Sequence, residues 1–358
     1  MPLVSSMAKR VVVSKFGGVE ELMVVEEPDP APGPGQVRVR LTSVGLNHAD
    51  LMGRRGEYRL MSGDPPFTPG LEGGGTIDAT GDGVAAEMIG RRVCLDVTAP
   101  RRGAAATDPK AGMTGTYRTA IVVDQGHAVS IPDEVPDAMA GALWLTYLTA
   151  WGGLIWRQGL RPGQWVAIPA ASSGVGLAAA QVAKAAGAVV VGLTTKAAKI
   201  DALKDFPESA FDHYVATGGV DGRSRSWHRD LLRLTEGRGI DVFFDPVASG
   251  AYLESEIKSL APGGTIWVYG LLGRPGPVDV TPLIRKRGAI RGWLLNELPE
   301  AGPAALATGY TAVLDGFRTG AYRQRLAGEF PLSAVAEAHE AMERGEHMGK
   351  LVLRPDRD

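Results

Sequence analysis

A chain of 358 residues is long enough for about two domains at roughly 150 residues each, which excludes a peptide or single-helix architecture. With 44% hydrophobic and 22% charged residues it has the make-up of a folded globular protein, and 38 Lys+Arg against 40 Asp+Glu give no global charge that would draw it to nucleic acid or an anionic membrane. The single cysteine, Cys94, excludes an intramolecular disulfide and any multi-cysteine metal centre, which fits a reducing compartment and makes the cytoplasm the expected location.

Residues 1–10 lack the charged, apolar and small segments of a secretory leader, so none is expected. Over the first ~135 residues, β-branched runs separated by Gly and Pro predict short strands at 10–13, 36–43, 75–79, 92–97 and 117–123. The alternation Gln36-Val-Arg-Val-Arg-Leu41 is that of a strand with one wet face, and an antiparallel, barrel-like domain follows. Residues 99–115 read as a long surface loop. Two charge-free stretches, 138–156 and 165–183, have the length of a membrane span, but their Gly, Thr, Ser and Pro residues point to buried elements broken by turns.

Beyond Met139 the rhythm changes. Apolar runs at 165–170, 189–194, 213–216, 241–245, 265–269 and 289–294 alternate with helical segments at 176–186, 197–204, 224–235 and 252–260, which predicts a doubly wound parallel sheet. Helices at 309–318 and 334–344 and a strand at 350–353 complete the chain.

The run Trp165-Val-Ala-Ile-Pro-Ala-Ala-Ser-Ser173-Gly174-Val175-Gly176-Leu-Ala-Ala179 carries a strand into a helix through a GxGxxA turn. In that context Gly174 is expected to permit a tight turn, Gly176 to let backbone N–H groups approach a pyrophosphate, and Ala179 to allow close helix packing. An acid about 20 residues on would select the ribose diol of NAD. Thr194 and Thr195 stand there instead, followed by Lys196 and Lys199, which suits a 2′-phosphate and predicts NADPH. Solvated helix lysines are the plainer alternative.

Several blocks in order resemble the zinc-free quinone oxidoreductase and enoyl reductase branch of the medium-chain dehydrogenase/reductase superfamily. They are Val44-Gly-Leu-Asn47-His-Ala-Asp50-Leu-Met-Gly-Arg-Arg-Gly56-Glu-Tyr58, Pro69-Gly-Leu-Glu72-Gly, Leu148-Thr149-Ala150, the glycine turn, Phe244-Asp245-Pro246-Val247 and His347-Met-Gly349-Lys350-Leu-Val-Leu-Arg-Pro355. The resemblance implies an α/β chain with a GroES-like β-barrel catalytic domain (1–136, completed by 301–358) interrupted by a Rossmann doubly wound parallel-sheet domain (137–300). Where zinc-dependent relatives place Cys and His ligands, this chain has Asn47 and Leu71, so no metal is expected. The six histidines show no ligand spacing.

Without a Lewis acid, the chemistry implied is hydride transfer from NADPH to an acceptor that is already activated, a quinone or an α,β-unsaturated carbonyl. By resemblance, Tyr58 matches a proton donor, Asn47 offers an amide to nicotinamide or substrate, and Asp50 orders the loop. Arg54 is expected to pair with Asp50. Thr149, Gly270, Leu271 and Lys350 are carried over as cofactor contacts beside Ser173, Gly174, Val175, Gly176, Thr194, Thr195, Lys196 and Lys199. Cys94 is expected to be a buried structural thiol, and Trp144, Tyr147 and Trp151 core residues. Relatives also imply a homodimer joined at sheet edges, with a small-molecule substrate and no membrane span. A cofactor-binding but catalytically weak protein of the structural or vesicle-associated type is the alternative.

Overall fold

The computed structural model describes residues 7–96, 114–218 and 226–358. The chain divides into two compact units: unit 1 runs to Leu145 and resumes at Gln324, and unit 2 is Thr146–Arg323. All but the last two residues of the loop expected at 99–115 lie outside the described residues.

Unit 1 opens with β1 (Met7–Val13) paired antiparallel to β2 (Leu22–Pro28). Next come β3 (Gln36–Gly45), helix α1 (His48–Arg55) and the single turn α2 (Arg59–Ser62). Four strands complete this segment: β4 (Gly74–Thr80), β5 (Arg92–Leu95), β6 (Ala120–Asp124) and β7 (Ala128–Ser130). The alternation predicted for β3 is borne out. Val37, Val39 and Leu41 are buried in the unit's apolar core, while Arg38 and Arg40 on the other face bond Asp78 and Asp29. Removing each such apolar side chain from water stabilises the sheet by roughly 1.5–3 kcal/mol.

Helix α3 (Trp144–Trp151) carries the chain into unit 2. There β8 (Trp165–Ile168), α4 (Gly174–Ala185), β9 (Val189–Thr194), α5 (Ala197–Lys204), β10 (His213–Ala216) and α6 (Trp227–Leu234) alternate. The pattern goes on through β11 (Ile240–Asp245), α7 (Gly250–Ser259), β12 (Leu260–Val268), α8 (Pro282–Lys286) and β13 (Ala289–Gly292) to α9 (Glu297–Glu300) and α10 (Pro303–Arg318). The six strands pair in parallel in the order β10-β9-β8-β11-β12-β13. Chain order reverses between β8 and β11, the place in such sheets where ligands meet the C-terminal strand ends.

Back in unit 1, β14 (Leu326–Pro331), α11 (Val335–Arg344) and β15 (Lys350–Arg354) close the chain. β15 pairs with β14 in parallel and with β3 antiparallel, so that Val352 faces Gly45. The sheet order is β14-β15-β3-β4-β5-β7, with β6 also on β3. The strands β2, β7 and β14 were not expected: β2 is largely exposed and acidic at its end, and β14 contains Gly328 and Pro331 and depends on its nonlocal partner. Among the described residues no helix is long and apolar enough to cross a membrane.

Candidate active site

In unit 2 the glycine turn joins β8 to α4. Ser173 caps the helix, its Oγ accepting the Gly176 N–H at 3.0 Å. The left-handed residue of the turn is Ala170 (φ 50°), not Gly174, which is the first residue of α4. The tight turn expected of Gly174 therefore falls four residues earlier, on a side chain small enough to tolerate it. Gly176 is required by space: a Cβ there would come within 2.6 Å of the Ala170 carbonyl oxygen.

The N–H groups of Gly174 and Val175 lie in the first turn of α4, where no intrahelical acceptor exists, and such N–H groups with the helix dipole suit a pyrophosphate. Lys199 brings its Nζ to 3.3 Å from Ser172 Oγ, so one of the two expected lysines sits at the turn itself. Thr194 is buried at the end of β9, whereas Thr195 and Lys196 are exposed. Gly270 follows β12 against Pro246, Leu271 is exposed, and the Thr149 carbonyl accepts the Trp293 indole N–H at 2.9 Å. These groups fit a dinucleotide. Trp144 and Tyr147, with Trp151, are buried as expected.

Unit 1 holds a different cluster. Asn47 caps α1, and Asp50 at the third helical position accepts the Asn47 backbone N–H at 2.8 Å. The Asn47 carboxamide spends both N–H groups, on the Gly45 carbonyl at 3.1 Å and Glu72 Oε1 at 3.2 Å, while its Oδ1 accepts from Lys350 Nζ at 2.6 Å. An amide has two N–H donors, so the expected role of Asn47 as a donor to substrate is not open in this arrangement. Glu72 is fully buried; it meets the Lys350 ammonium at 2.6 Å and accepts the Leu145 N–H at 3.0 Å. Lys350, carried over as a phosphate contact, thus stands in unit 1 with Asn47 and Glu72.

Asp50 has a second set of partners. Its carboxyl accepts the Gly70 N–H at 3.2 Å and the Tyr117 hydroxyl at 3.3 Å, which fits the loop-ordering role expected of it. Burial pushes Asp50 up to about 7, against the lowering effect of the Asn47 N–H and the Lys350 charge. Tyr117 Oη lies 3.2 Å from His339 Nε2, and His339 Nδ1 lies 3.5 Å from Arg54 Nη1. Burial, reinforced by the Arg54 charge, holds His339 down at about 3. Arg54 pairs with Glu343 on α11, not with Asp50 as expected, because α11 packs on this face of α1 and brings the carboxylate. Tyr117 and His339 were missed by sequence reasoning; neither sits in a motif. Tyr58 is half-buried at the start of α2, with no partner to its hydroxyl among the described residues, and Cys94 is buried with its thiol pushed up by burial.

Residues 33–133 match the Alcohol dehydrogenase GroES-like domain family and residues 174–309 the Zinc-binding dehydrogenase family. A solved structure described as an NAD-dependent alcohol dehydrogenase is 30% identical, superposes with a TM-score of 0.80, and covers 97% of this chain and 99% of its own. The chain belongs to the medium-chain dehydrogenase/reductase superfamily. Within the superfamily it is 29% identical to the human synaptic vesicle membrane protein VAT-1 homolog, over 96% of this chain and 86% of that protein. To the quinone oxidoreductase of Lama guanicoe it is 28% identical over 96% and 97% of the two chains. Mycobacterial Rv1454c, solved with NADPH, is 25% identical with a TM-score of 0.80 over 98% of this chain and 100% of that one.

This superfamily member is an oxidoreductase with the GroES-like and Rossmann folds expected from its sequence. One of its family descriptions implies zinc, and the residues present do not fit that ion. The donor set is an amide, an aliphatic Leu71 and a carboxylate already bonded to an ammonium, whereas a catalytic zinc needs three N, S or O protein ligands.

Proposed function

We propose that this chain is an NADPH-dependent, metal-independent reductase of quinones or of activated alkenes such as enones and enoyl compounds. The observation that carries the reading is the identity of the buried cation beside Glu72 and Asn47: it is the Lys350 ammonium, so a polarising metal has no place there. An acceptor whose own conjugation draws in hydride suits such a site. When bound, the reduced nicotinamide supplies that hydride.

The residues of the chain do the rest. Ser173, Gly174, Val175 and Gly176 hold the pyrophosphate at the head of α4, and Lys199 at the turn, with Lys196, Thr194 and Thr195, takes the 2′-phosphate. Thr149, Gly270 and Leu271 flank the nicotinamide. Asp50 fixes the Asn47 loop, and Tyr58 delivers the proton that the α-carbon of an enolate requires. The edge of β13, which has no second strand partner among the described residues, together with exposed Leu272, Val280 and Ile284 in the same unit, supports a homodimer. A cytoplasmic location accords with the free Cys94.

A second reading is a protein of the structural or vesicle-associated type that binds the cofactor with little turnover; the similarity to the synaptic vesicle membrane protein VAT-1 homolog is what keeps the vesicle-associated type in view. Stopped-flow NADPH oxidation over a panel of quinones and enones separates the two. Oxidation coupled to acceptor loss supports the reductase; tight NADPH binding with no oxidation by any acceptor supports the binding protein. Tyr58→Phe tests the proton donor, because enone reduction slows if the phenol protonates the enolate while quinone reduction persists.

A further inference from the structure

We propose that Asp50, Tyr117 and His339 form a pH-operated clasp: the Asp50 carboxylate ties the Asn47 and Gly70 segments to Tyr117, and a proton arriving on Asp50 opens the Tyr117 arm. The inference goes beyond the reductase reading and stands whether or not the chain turns an acceptor over.

Every contact of the clasp lies within unit 1. Asp50 Oδ2 accepts the Asn47 N–H at 2.8 Å and the Tyr117 hydroxyl at 3.3 Å, and Oδ1 accepts the Gly70 N–H at 3.2 Å. All three partners donate, which a carboxylate accommodates, whereas a carboxylic acid brings a proton of its own. The acceptor within reach of that proton is the Tyr117 oxygen. No bond is lost only if the phenol turns its own proton to His339 Nε2, 3.2 Å away. The ring proton would then sit on Nδ1, 3.5 Å from Arg54 Nη1, with donor facing donor. Arg54 is buried and held in place by its ion pair with Glu343. The arginine thus fixes the direction of the bonds, and protonation of Asp50 leaves one hydroxyl proton without an acceptor. The Tyr117 contact, the longest of the three, is the one that opens.

The charged groups facing the clasp are Lys350 and Glu72 at the Asp50 end, and Arg54, Arg55 and Glu343 at the His339 end. Burial above all, with Glu72, favours the acid; the Asn47 N–H, the Lys350 charge and the Tyr117 hydroxyl favour the carboxylate, and the balance sets Asp50 at about 7. His339, held down at about 3, stays neutral, so a single proton operates the clasp. His48, on the same helix, faces Arg55, Glu57 and Glu343. What is clasped bears on the rest of the site. Asn47 caps α1 and, with Glu72 two residues beyond Gly70, holds the Lys350 ammonium. Opening the clasp therefore loosens both segments that carry the partners of Lys350.

Amide hydrogen exchange read by mass spectrometry on the whole protein, corrected for the intrinsic pH dependence of exchange, is the test. In the wild type, protection of residues 47–55 is expected to fall about 10-fold between pH 8.5 and pH 5.5, as one charge-assisted hydrogen bond is lost, with a midpoint near 7. Asp50→Asn has no titrating group at this position and is expected to give equal protection at the two pH values. Tyr117→Phe removes a donor that favours the carboxylate, so the midpoint is expected to move above 7 and the fall to shrink. Circular dichroism checks the fold of each variant, and the Tyr117→Phe shift decides the matter if Asp50→Asn does not fold. Wild-type protection that is unchanged by pH overturns the clasp. So does a fall that persists in Asp50→Asn, or a midpoint that Tyr117→Phe leaves in place.

Discussion

The Tyr117 hydroxyl and His339 Nε2 lie 3.2 Å apart although 222 residues separate them in the chain. Arginine has only donors, so the Arg54 Nη1 contact makes His339 Nδ1 the acceptor and puts the ring proton on Nε2. His339 then donates to Tyr117, and Tyr117 donates to Asp50. The chain of bonds runs one way, toward a buried carboxyl, and its two titratable ends are shifted in opposite senses by the same cause, burial.

His339→Gln reads out one end. The histidine is neutral in the folded state down to about pH 3, against 6.5 for an unperturbed ring, so the unfolded state binds the extra proton. Wild-type stability therefore falls as pH drops below 6.5, by up to about 1.4 kcal/mol per unit, and glutamine removes that slope. The variant is expected to be less stable at pH 7, with the deficit narrowing by roughly 3 kcal/mol at pH 4.5. Urea unfolding at the two pH values measures it; a deficit independent of pH would mean that His339 titrates alike in the folded and unfolded chains.

Asp50→Asn reads out the other. Here the folded pKa of about 7 lies above the unfolded 3.8, so the folded state holds the proton and its stabilising contribution is lost as pH rises toward 7. The amide cannot accept from all of Asn47, Gly70 and Tyr117, so a loss of about 1–3 kcal/mol is expected from an unpaired donor. That loss is expected to be larger at pH 5 than at pH 8, opposite in slope to the histidine variant. The same urea curves decide it.

These relationships show where sequence reading stops. Strands β9 and β10 and helix α5 matched their predicted ends, because their signals, apolar runs and flanking breakers, are local. The glycine turn was legible for the same reason. Lys350 beside Asn47, by contrast, depends on β15 lying against β3, and His339 beside Tyr117 on α11 packing in that unit; no local period encodes either pairing. The resemblance implies that Lys350 is a cofactor contact; that its ammonium also meets Glu72 follows only from the strand register.

Lys199→Ala tests cofactor preference. With Nζ at 3.3 Å from Ser172 Oγ, Lys199 is poised at the turn that receives the nucleotide. One charge-assisted bond contributes about 1.5–3 kcal/mol, so NADPH affinity is expected to fall at least 10-fold while NADH affinity holds. Fluorescence titration with both nucleotides gives the ratio. Equal losses for the two would show that Lys199 supports the turn without reading the 2′-phosphate.

Ile284→Asp tests the proposed homodimer. Among the described residues β13 pairs on one side only, with β12, and Ile284 on α8 is 78% exposed, with Val280 at 54% nearby in sequence. An open strand edge beside apolar side chains invites a second chain, and a two-fold axis lets the same patch face itself. A charge at Ile284 would then meet its own copy across the axis, where like charges repel in a desolvated contact. Light scattering after size exclusion is expected to give a dimer mass for the wild type and a monomer mass for the variant. Because Ile284 is so exposed, the substitution should leave the melting temperature of the monomer unchanged. A loss of fold would instead mark Ile284 as part of the unit's own packing, and a wild type that elutes as a monomer would leave the β13 edge without the partner proposed for it.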